Sequence, residues 1–563
     1  MTRNFSRMQV RRMLLTTGIG VISTMLFVMA DTVFAGHLLG ESAIAGVNVI
    51  YPLAELVLFA ATTLSCAIAI PRAMAVGRCD RRIMDLCCST GVWTAVLLSV
   101  VLMTPFLFCG IYFGLVGIQG AAREVAQSYC GTYWSVAAIA PWFFLGSNLL
   151  CTEGAHRHCR IAMVVNAILK LTLSAPLCKS FGAAGLPLAT AIGMAAATAV
   201  MADFLRSDRS TLTFSAGLSF TVLRDGLRYA FLEQLYVFGD MLRALAVNMF
   251  VVRRLGEGLL PVVSAFTSVQ LLSYVMFAIV CAVQPVLESY VGEGNLMKVR
   301  DVGRYGAELT AGTGFLLAVT VFCCPDLLVS FVGISDPAIA APARTAVRIG
   351  SVFLTFILLC GYVESFYTYV QRFAISFATT SLETCIVPIP LGIALGLWFG
   401  APGLWLGMSI APAAVLVLVL AFVIRRYGNP YALPKERGDW LTLDLEAAER
   451  PISELSATVA QELKRRGLTT GNALVAPTVL EDALMSIRKH NSGHRVFAEV
   501  ALHFTNPSGI TIIIKDNGRR FDITDADANV SSLRDYLIAL IMSGMRNRLN
   551  LLTLGVNRNC FSF

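Results

Sequence analysis

Apolar windows long enough to cross a bilayer recur twelve times in the first 430 residues, and nothing else in the sequence restricts the fold as much. They fall near residues 13–36, 46–70, 89–112, 127–151, 161–180 and 185–205, then near 229–252, 260–286, 306–332, 346–370, 375–398 and 402–424. A helix of roughly 20 apolar residues spans the hydrocarbon core, and backbone placed there must satisfy its own hydrogen bonds, so each window predicts a helix. The chain is 56% hydrophobic and 14% charged, with a mean hydropathy of +0.69, which excludes a soluble globule. Charge is also uneven. Residues 431–563 hold 16 of the 44 Lys and Arg and 15 of the 36 Asp and Glu, so a charge-poor membrane region is followed by a soluble domain. The expected fold is a mainly α membrane protein of twelve transmembrane helices in two six-helix lobes, plus a C-terminal α+β sandwich.

Basic residues orient the helices. The first thirty-five residues have a basic start (Arg3, Arg7, Arg11, Arg12) and an apolar run like a secretion signal, but the run can span a bilayer and many more follow, so it reads as a retained first helix. Connections carrying Arg72, Arg78, Arg81 and Arg82, then Arg157 and Arg160, then Arg206, Arg209, Arg224 and Arg228, then Lys298, Arg300 and Arg304 are placed inside. The opposite connections are poorer, with Arg123, Lys179, Arg253, Arg254 and Arg344 the main exceptions. The positive-inside bias then puts both termini in the cytoplasm, in a cell inner membrane.

The two halves repeat. HLLGESAIAG (37–46) recurs as RRLGEGLLPV (253–262), and FGAAGLPLATAI (181–192) as FGAPGLWLGMSI (399–410). Six duplicated helices keep one orientation, which relates the halves by an axis along the membrane normal and suits a cleft that opens alternately to each side. The lobes are expected over 1–215 and 216–428, a linker over 429–438 and the soluble domain over 439–563.

Ionisable residues within apolar windows mark functional candidates, because an isolated charge there is costly. Asp31 lies in the first helix, in MADTVFAGHLLGESAIAGVNVIYPL (29–53); the alternative is a helix-end residue at headgroup level. Glu55, Lys170, Glu233, Asp240, Arg243, Glu288, Glu364 and Glu383 are the others. Asp240 and Arg243, spaced i, i+3, either self-neutralise or face a cavity. Lys170 either pairs with Asp31 as a tethered cation or snorkels to an interface. The 15 cysteines include no Cys-x-x-Cys, so neither a zinc site nor a disulfide framework is indicated.

The stretch 29–53, NLLCTEGAHR (148–157), QPVLESYVGEGNLMKVRDVGRYG (284–306) and the repeated FG-x-x-G element resemble the multidrug and toxic compound extrusion (MATE) family over residues 10–428. The resemblance implies a two-lobe exporter exchanging Na⁺ or H⁺ for organic, often cationic, compounds. It gives Asp31 a part in ion coupling and places a polar amide, Asn148, in the same lobe. The family's N-x-x-x-D-P stretch is broken here: Leu171 and Ala175 stand at its polar positions, and Na⁺ and H⁺ both stay open as the coupling ion.

After Arg426, YGNPYALPKERGD reads as a linker. DWLTLDLE (439–446) alternates as a strand, ISELSATVAQELKRRG (452–467) and PTVLEDALMSIRKH (477–490) are amphipathic helices, 497–522 is a two-strand hairpin ending in a Gly loop, and LGVNRNCFSF is a closing strand. This order resembles the ATP-binding domain of histidine kinases and, more closely, of anti-sigma-factor serine kinases. The resemblance implies that Asp516 accepts from the adenine amino group, Gly518 lets backbone approach the base, and Glu481 or Asp482 orients water or a hydroxyl. The Mg²⁺ asparagine is replaced by Ser486, a weaker ligand, and the Gly-rich lid is reduced to Gly544, so the Mg²⁺ and phosphate end of the site is weakened and ATP binding is expected to survive better than chemistry.

The combined reading is a MATE-like antiporter rather than an enzyme, with a nucleotide-sensing or degenerate ATPase-like domain. Its expected partners are the bilayer, small organic substrates and a cytoplasmic regulatory protein, without nucleic acid. Two other classes stay open: a lipid-linked precursor flippase with a cationic cavity, and a membrane sensor with a serine-kinase-like tail.

Overall fold

The computed structural model describes residues 5–78, 81–152, 156–206, 217–433, 439–467, 476–505, 509–518, 550–552 and 556–562. The chain divides into two compact units: Gly18–Val280 with Ala307–Pro430, and Met1–Thr17 with Cys281–Gly306 and Tyr431–Phe563.

The larger unit is helical. Its elements belong to α1 (Phe5–Leu39), α2 (Glu41–Arg78), α3 (Arg81–Leu107), α4 (Cys109–Val116), α5 (Gly120–Thr152), α6 (His156–Phe181), α7 (Gly185–Arg206), α8 (Phe220–Glu233), α9 (Leu235–Phe250), α10 (Leu260–Leu271), α11 (Tyr274–Glu293), α12 (Leu296–Cys323), α13 (Pro325–Val332), α14 (Pro337–Val352), α15 (Leu354–Tyr369), α16 (Phe373–Ser381), α17 (Pro388–Phe399) and α18 (Ala401–Tyr427). π-helical turns at Val251–Leu255 and Leu382–Ile386 extend α9 and α16. Among the described residues, eight helical runs are long and apolar enough to cross a membrane, or nine if the bent pair α14 and α15 is one span. One run, His158–Phe204, contains both α6 and α7, which pack against each other. The chain is therefore a multi-pass membrane protein.

The sequence repeat is also a structural repeat. The short helices α4 and α13 each have eight residues and each end on a left-handed glycine, Gly117 and Gly333. Gly40 and Gly256 hold φ of 90° and 100° at the turns before Glu41 and Glu257, a conformation a side chain would strain. Lipid-facing positions carry large apolar side chains such as Leu97, Trp398 and Val417, all exposed, whereas Trp405, Tyr367 and Ile44 fill the interior.

The smaller unit contains a five-stranded antiparallel sheet of β1 (Asp439–Glu446), β2 (Phe497–Thr505), β3 (Gly509–Asp516), β4 (Asn550–Leu552) and β5 (Val556–Ser562), in the order β1-β2-β3-β5-β4. Alternation puts Leu443, Val500, Leu502, Ile512 and Ile514 on one face, against α19 (Glu449–Arg465) and α20 (Ala476–His490). Their partners in the core are Ile452, Val459, Leu480, Leu484 and Ile487. The opposite face presents Thr442, Asp444, Glu499 and Lys515.

Candidate functional site

In the first repeat, α1 brings Asp31 to α6. Lys170 Nζ lies 3.2 Å from Asp31 Oδ1, with the side chains 3% and 13% exposed. The contact is coulombic rather than an aligned hydrogen bond, since Oδ1 accepts none, while Oδ2 accepts one from Tyr129 Oη at 2.8 Å. Tyr129 lies against Tyr133, which stacks on Phe106. The buried face of α6 is Asn166, Lys170, Ser174 and Cys178, whereas Leu171 is exposed. Of the two sequence alternatives for Lys170, the structure shows the pair with Asp31. Asn166 and Ser174 were overlooked; their four-residue spacing about Lys170 was the available signal. Asn148 does not join this pair. It donates to Ser65 Oγ, which in turn donates to Phe144 O at 2.8 Å, tying α5 to α2.

A second polar cluster lies between the repeats. A cavity of about 230 Å³ is lined by Tyr51 and Glu55 of α2, Tyr236, Asp240 and Arg243 of α9, Gln270 of α10, and Tyr274 and Phe277 of α11. Arg243 donates to Asp240, the self-neutralising alternative for this pair, yet both side chains line the cavity. Tyr51 Oη donates to Asp240 Oδ2 at 3.3 Å, and Glu55 lines the same cavity. Glu383, buried on the π-helical turn, acts electrostatically on Arg243, and Glu364 acts on Glu383. Gly239 gives the close approach here, because a Cβ would collide with the Thr384 side chain. The Glu233 and Glu288 side chains lie outside the described residues.

At the turns, the repeats reach across to each other in matched pairs. Glu41 Oε1 accepts from the backbone N–H of Ser335 and Asp336 at 3.0 and 2.8 Å. Its counterpart Glu257 accepts from Gln119 N at 3.2 Å. His37 Nε2 contacts Phe331 O at 3.2 Å, and Arg253 donates to Leu115 O.

The profile of the MatE family matches residues 17–178 and 240–394, more than half of the chain. The chain belongs to the MatE family. It is a MATE-family transporter, of the multidrug-efflux type at the level of the family. Its fold is similar to that of an inward-facing multidrug resistance MATE family transporter of the MOP superfamily, at 18% identity and TM-score 0.65 over 74% of this chain and 99% of that one. An outward-facing MATE family transporter matches at 19% identity and TM-score 0.62, covering 77% and 98%. A MOP superfamily transporter from Pyrococcus furiosus, whose binding pocket is described as of reverse polarity, matches at 19% and 0.63, covering 76% and 97%. No curated protein matches the sequence.

In this MatE transporter the residues singled out for nucleotide lie on the helix-covered side of the sheet. Asp516 is buried and its Oδ1 accepts from Gly518 N at 2.9 Å, closing the turn after β3. Gly518 sits against Asn491, leaving no room for a Cβ. On α20, Glu481 accepts from Ser453 Oγ at 3.3 Å, and Asp482 and Ser486 are half-buried. The segment with Gly544 lies outside the described residues.

Proposed function

We propose that this chain is a twelve-span, two-lobe antiporter that exports organic cations in exchange for Na⁺ or H⁺, with both termini cytoplasmic in an inner membrane. The lobes are 1–215 and 216–428. The observation that carries the reading is the cavity between the repeats, where Glu55 of one half meets Asp240 of the other with Arg243 as the one lining cation among the described residues. Carboxylates in low dielectric need a compensating cation, so a proton, a Na⁺ and an organic cation compete for the same charges. Tyr51, Tyr236, Tyr274 and Phe277 add aromatic faces that attract a cation. At Asp31 the charge is already met by Lys170, so the exchanged ion is assigned to the cavity and the Asp31 pair to relative positioning of α1 and α6.

The C-terminal region is proposed as a regulatory domain that senses a nucleotide through Asp516 and Gly518, over 439–563 after a linker at 429–438, or that serves a cytoplasmic regulatory protein. The Ser486 position supports binding without turnover, because a hydroxyl is a weak ligand for Mg²⁺.

The test is gradient-driven transport in proteoliposomes, comparing Na⁺ with H⁺ across a panel of organic cations. Glu55→Gln is expected to lower transport at least about tenfold, which corresponds to about 1.4 kcal/mol of binding energy. Wild-type rates and unchanged ion dependence in that variant would sink the assignment.

A further inference from the structure

Within the smaller unit, the polar face of the sheet is covered by the connection between α11 and α12. Tyr290 Oη donates to both carboxylate oxygens of Glu499 at 2.8 and 2.7 Å. Lys298 Nζ lies 2.8 Å from Glu499 and 3.2 Å from Asp444. Lys515 Nζ lies 2.9 Å from Glu293 and 3.5 Å from Glu499, over the Tyr290 ring. The Lys515, Glu293 and Glu499 side chains are at most 2% exposed. Two ammonium groups and three carboxylates thus interleave, and the Lys298–Asp444 and Lys515–Glu293 contacts join residues 146 and 222 apart in sequence.

The start of α1 belongs to the same unit. Phe5 N donates to Asp444 Oδ2 at 3.3 Å, and Arg11 Nε donates to Tyr305 Oη at 2.7 Å, with the Arg7 guanidinium over the Tyr305 ring. One sheet therefore holds the first turns of α1, from the first half, together with the α11–α12 connection, from the second.

We infer that the polar face of the C-terminal sheet is a clamp that ties the cytoplasmic ends of the two halves together and opposes opening of the transporter to the inside. The inference rests on the two-lobe reading: alternating access requires the halves to part on the inner side, and α1, α11 and α12 run without a break from the clamped unit into the larger one. Lys515 is adjacent to Asp516 on β3, so a ligand at the 516–518 turn acts on the strand that carries the central lysine of the clamp.

The test uses the full chain in vesicles, with two readouts. Hydrogen exchange reports on 5–17, 281–306 and β3. Alkylation of Cys66 by an impermeant maleimide from the cytoplasmic side reports on inner opening, because Cys66 of α2 contacts Gln234 Nε2 at 3.7 Å, at the junction of α8 and α9. Lys515→Gln is expected to speed exchange in all three segments and to raise the Cys66 rate at least about fivefold. Glu293→Gln, which keeps the side-chain shape, is expected to do the same more weakly and serves if Lys515→Gln misfolds. Faster exchange in β3 alone overturns the clamp. So does an unchanged Cys66 rate in the variants when wild-type Cys66 responds to an imposed ion gradient. A wild-type Cys66 that ignores every gradient overturns the two-lobe reading instead, while the exchange result still decides whether the three segments move together.

Discussion

Lys170 Nζ sits 3.2 Å from Asp31 Oδ1, so the first-helix carboxylate has a cation tethered beside it on α6. A bound Na⁺ or proton would have to displace that ammonium. Removing one partner of a buried pair leaves the other uncompensated, at a cost of about 3–5 kcal/mol, whereas removing both is nearly neutral. Asp31→Asn is therefore expected to lower the melting temperature in detergent, and Asp31→Asn with Lys170→Met to recover most of the loss. Thermal unfolding of the three proteins checks this. A double variant as unstable as the single one would mean that the pair is not a closed unit.

The matched contacts of Glu41 and Glu257 give a second expectation. Glu41 accepts two backbone N–H groups and Glu257 one from the opposite half, at exposed turns, so each contributes about 1 kcal/mol to closure, the ordinary net value for a hydrogen bond and less than a buried charged one. Glu41→Ala and Glu257→Ala should each favour opening on that side by about fivefold, and their effects should add, since the sites share no partner. The readout is alkylation of an Asn48→Cys reporter from the outside, Asn48 being bonded across the halves to Asn248. An effect confined to one of the two glutamates would break the symmetry argument.

How much of this was legible in the sequence depends on the range of the interaction. β1, with Leu441, Leu443 and Leu445 turned to one side, covers the residues expected, and the helix expected at 477–490 is α20, Ala476–His490, because alternation and periodicity are local signals. The Gly-Glu repeats at 40–41 and 256–257 were also visible, though not that each Glu reaches across to a turn in the other half. The short helices α4 and α13 and the π-helical turns were hidden inside apolar windows that any helix would satisfy. The pairing of Lys170 with Asp31, 139 positions apart, was legible only as one of two alternatives, and that of Glu293 with Lys515, 222 positions apart, was not legible at all, because composition says only that a buried charge needs some partner.

Nucleotide binding is the third expectation. Asp516 and Gly518 retain the turn that would meet a base, while Ser486 stands where a better Mg²⁺ ligand would be needed. The full chain should bind ADP about as tightly as ATP, and Ser486→Asn should strengthen Mg²⁺-dependent ATP binding by about 1–2 kcal/mol. Calorimetry with and without Mg²⁺ measures both. Turnover of Mg²⁺-ATP by the unmodified chain would contradict a sensing role without chemistry.

The charges of the clamp give a pH dependence whose sign can be worked out. Burial pushes the Glu499 carboxyl up, but Lys515 and Lys298, with hydrogen bonds from Lys298 and Tyr290, outweigh it and hold the group below its ordinary value of 4.5. A depressed folded-state value contributes stability that is present above 4.5 and lost as pH falls through the folded value. At Asp444 burial dominates, only partly offset by Lys298, and the group is raised above 3.8, so its protonation on acidification relieves a cost and works the opposite way. Glu499→Gln mimics the protonated group without changing its size and isolates the first effect. The difference in unfolding temperature between wild type and Glu499→Gln should hold steady from about pH 7 to about pH 5 and then shrink as Glu499 itself protonates. A difference that fades well above pH 5, or persists unchanged at about pH 3, would falsify the assignment of Glu499 as the ionised centre of the clamp.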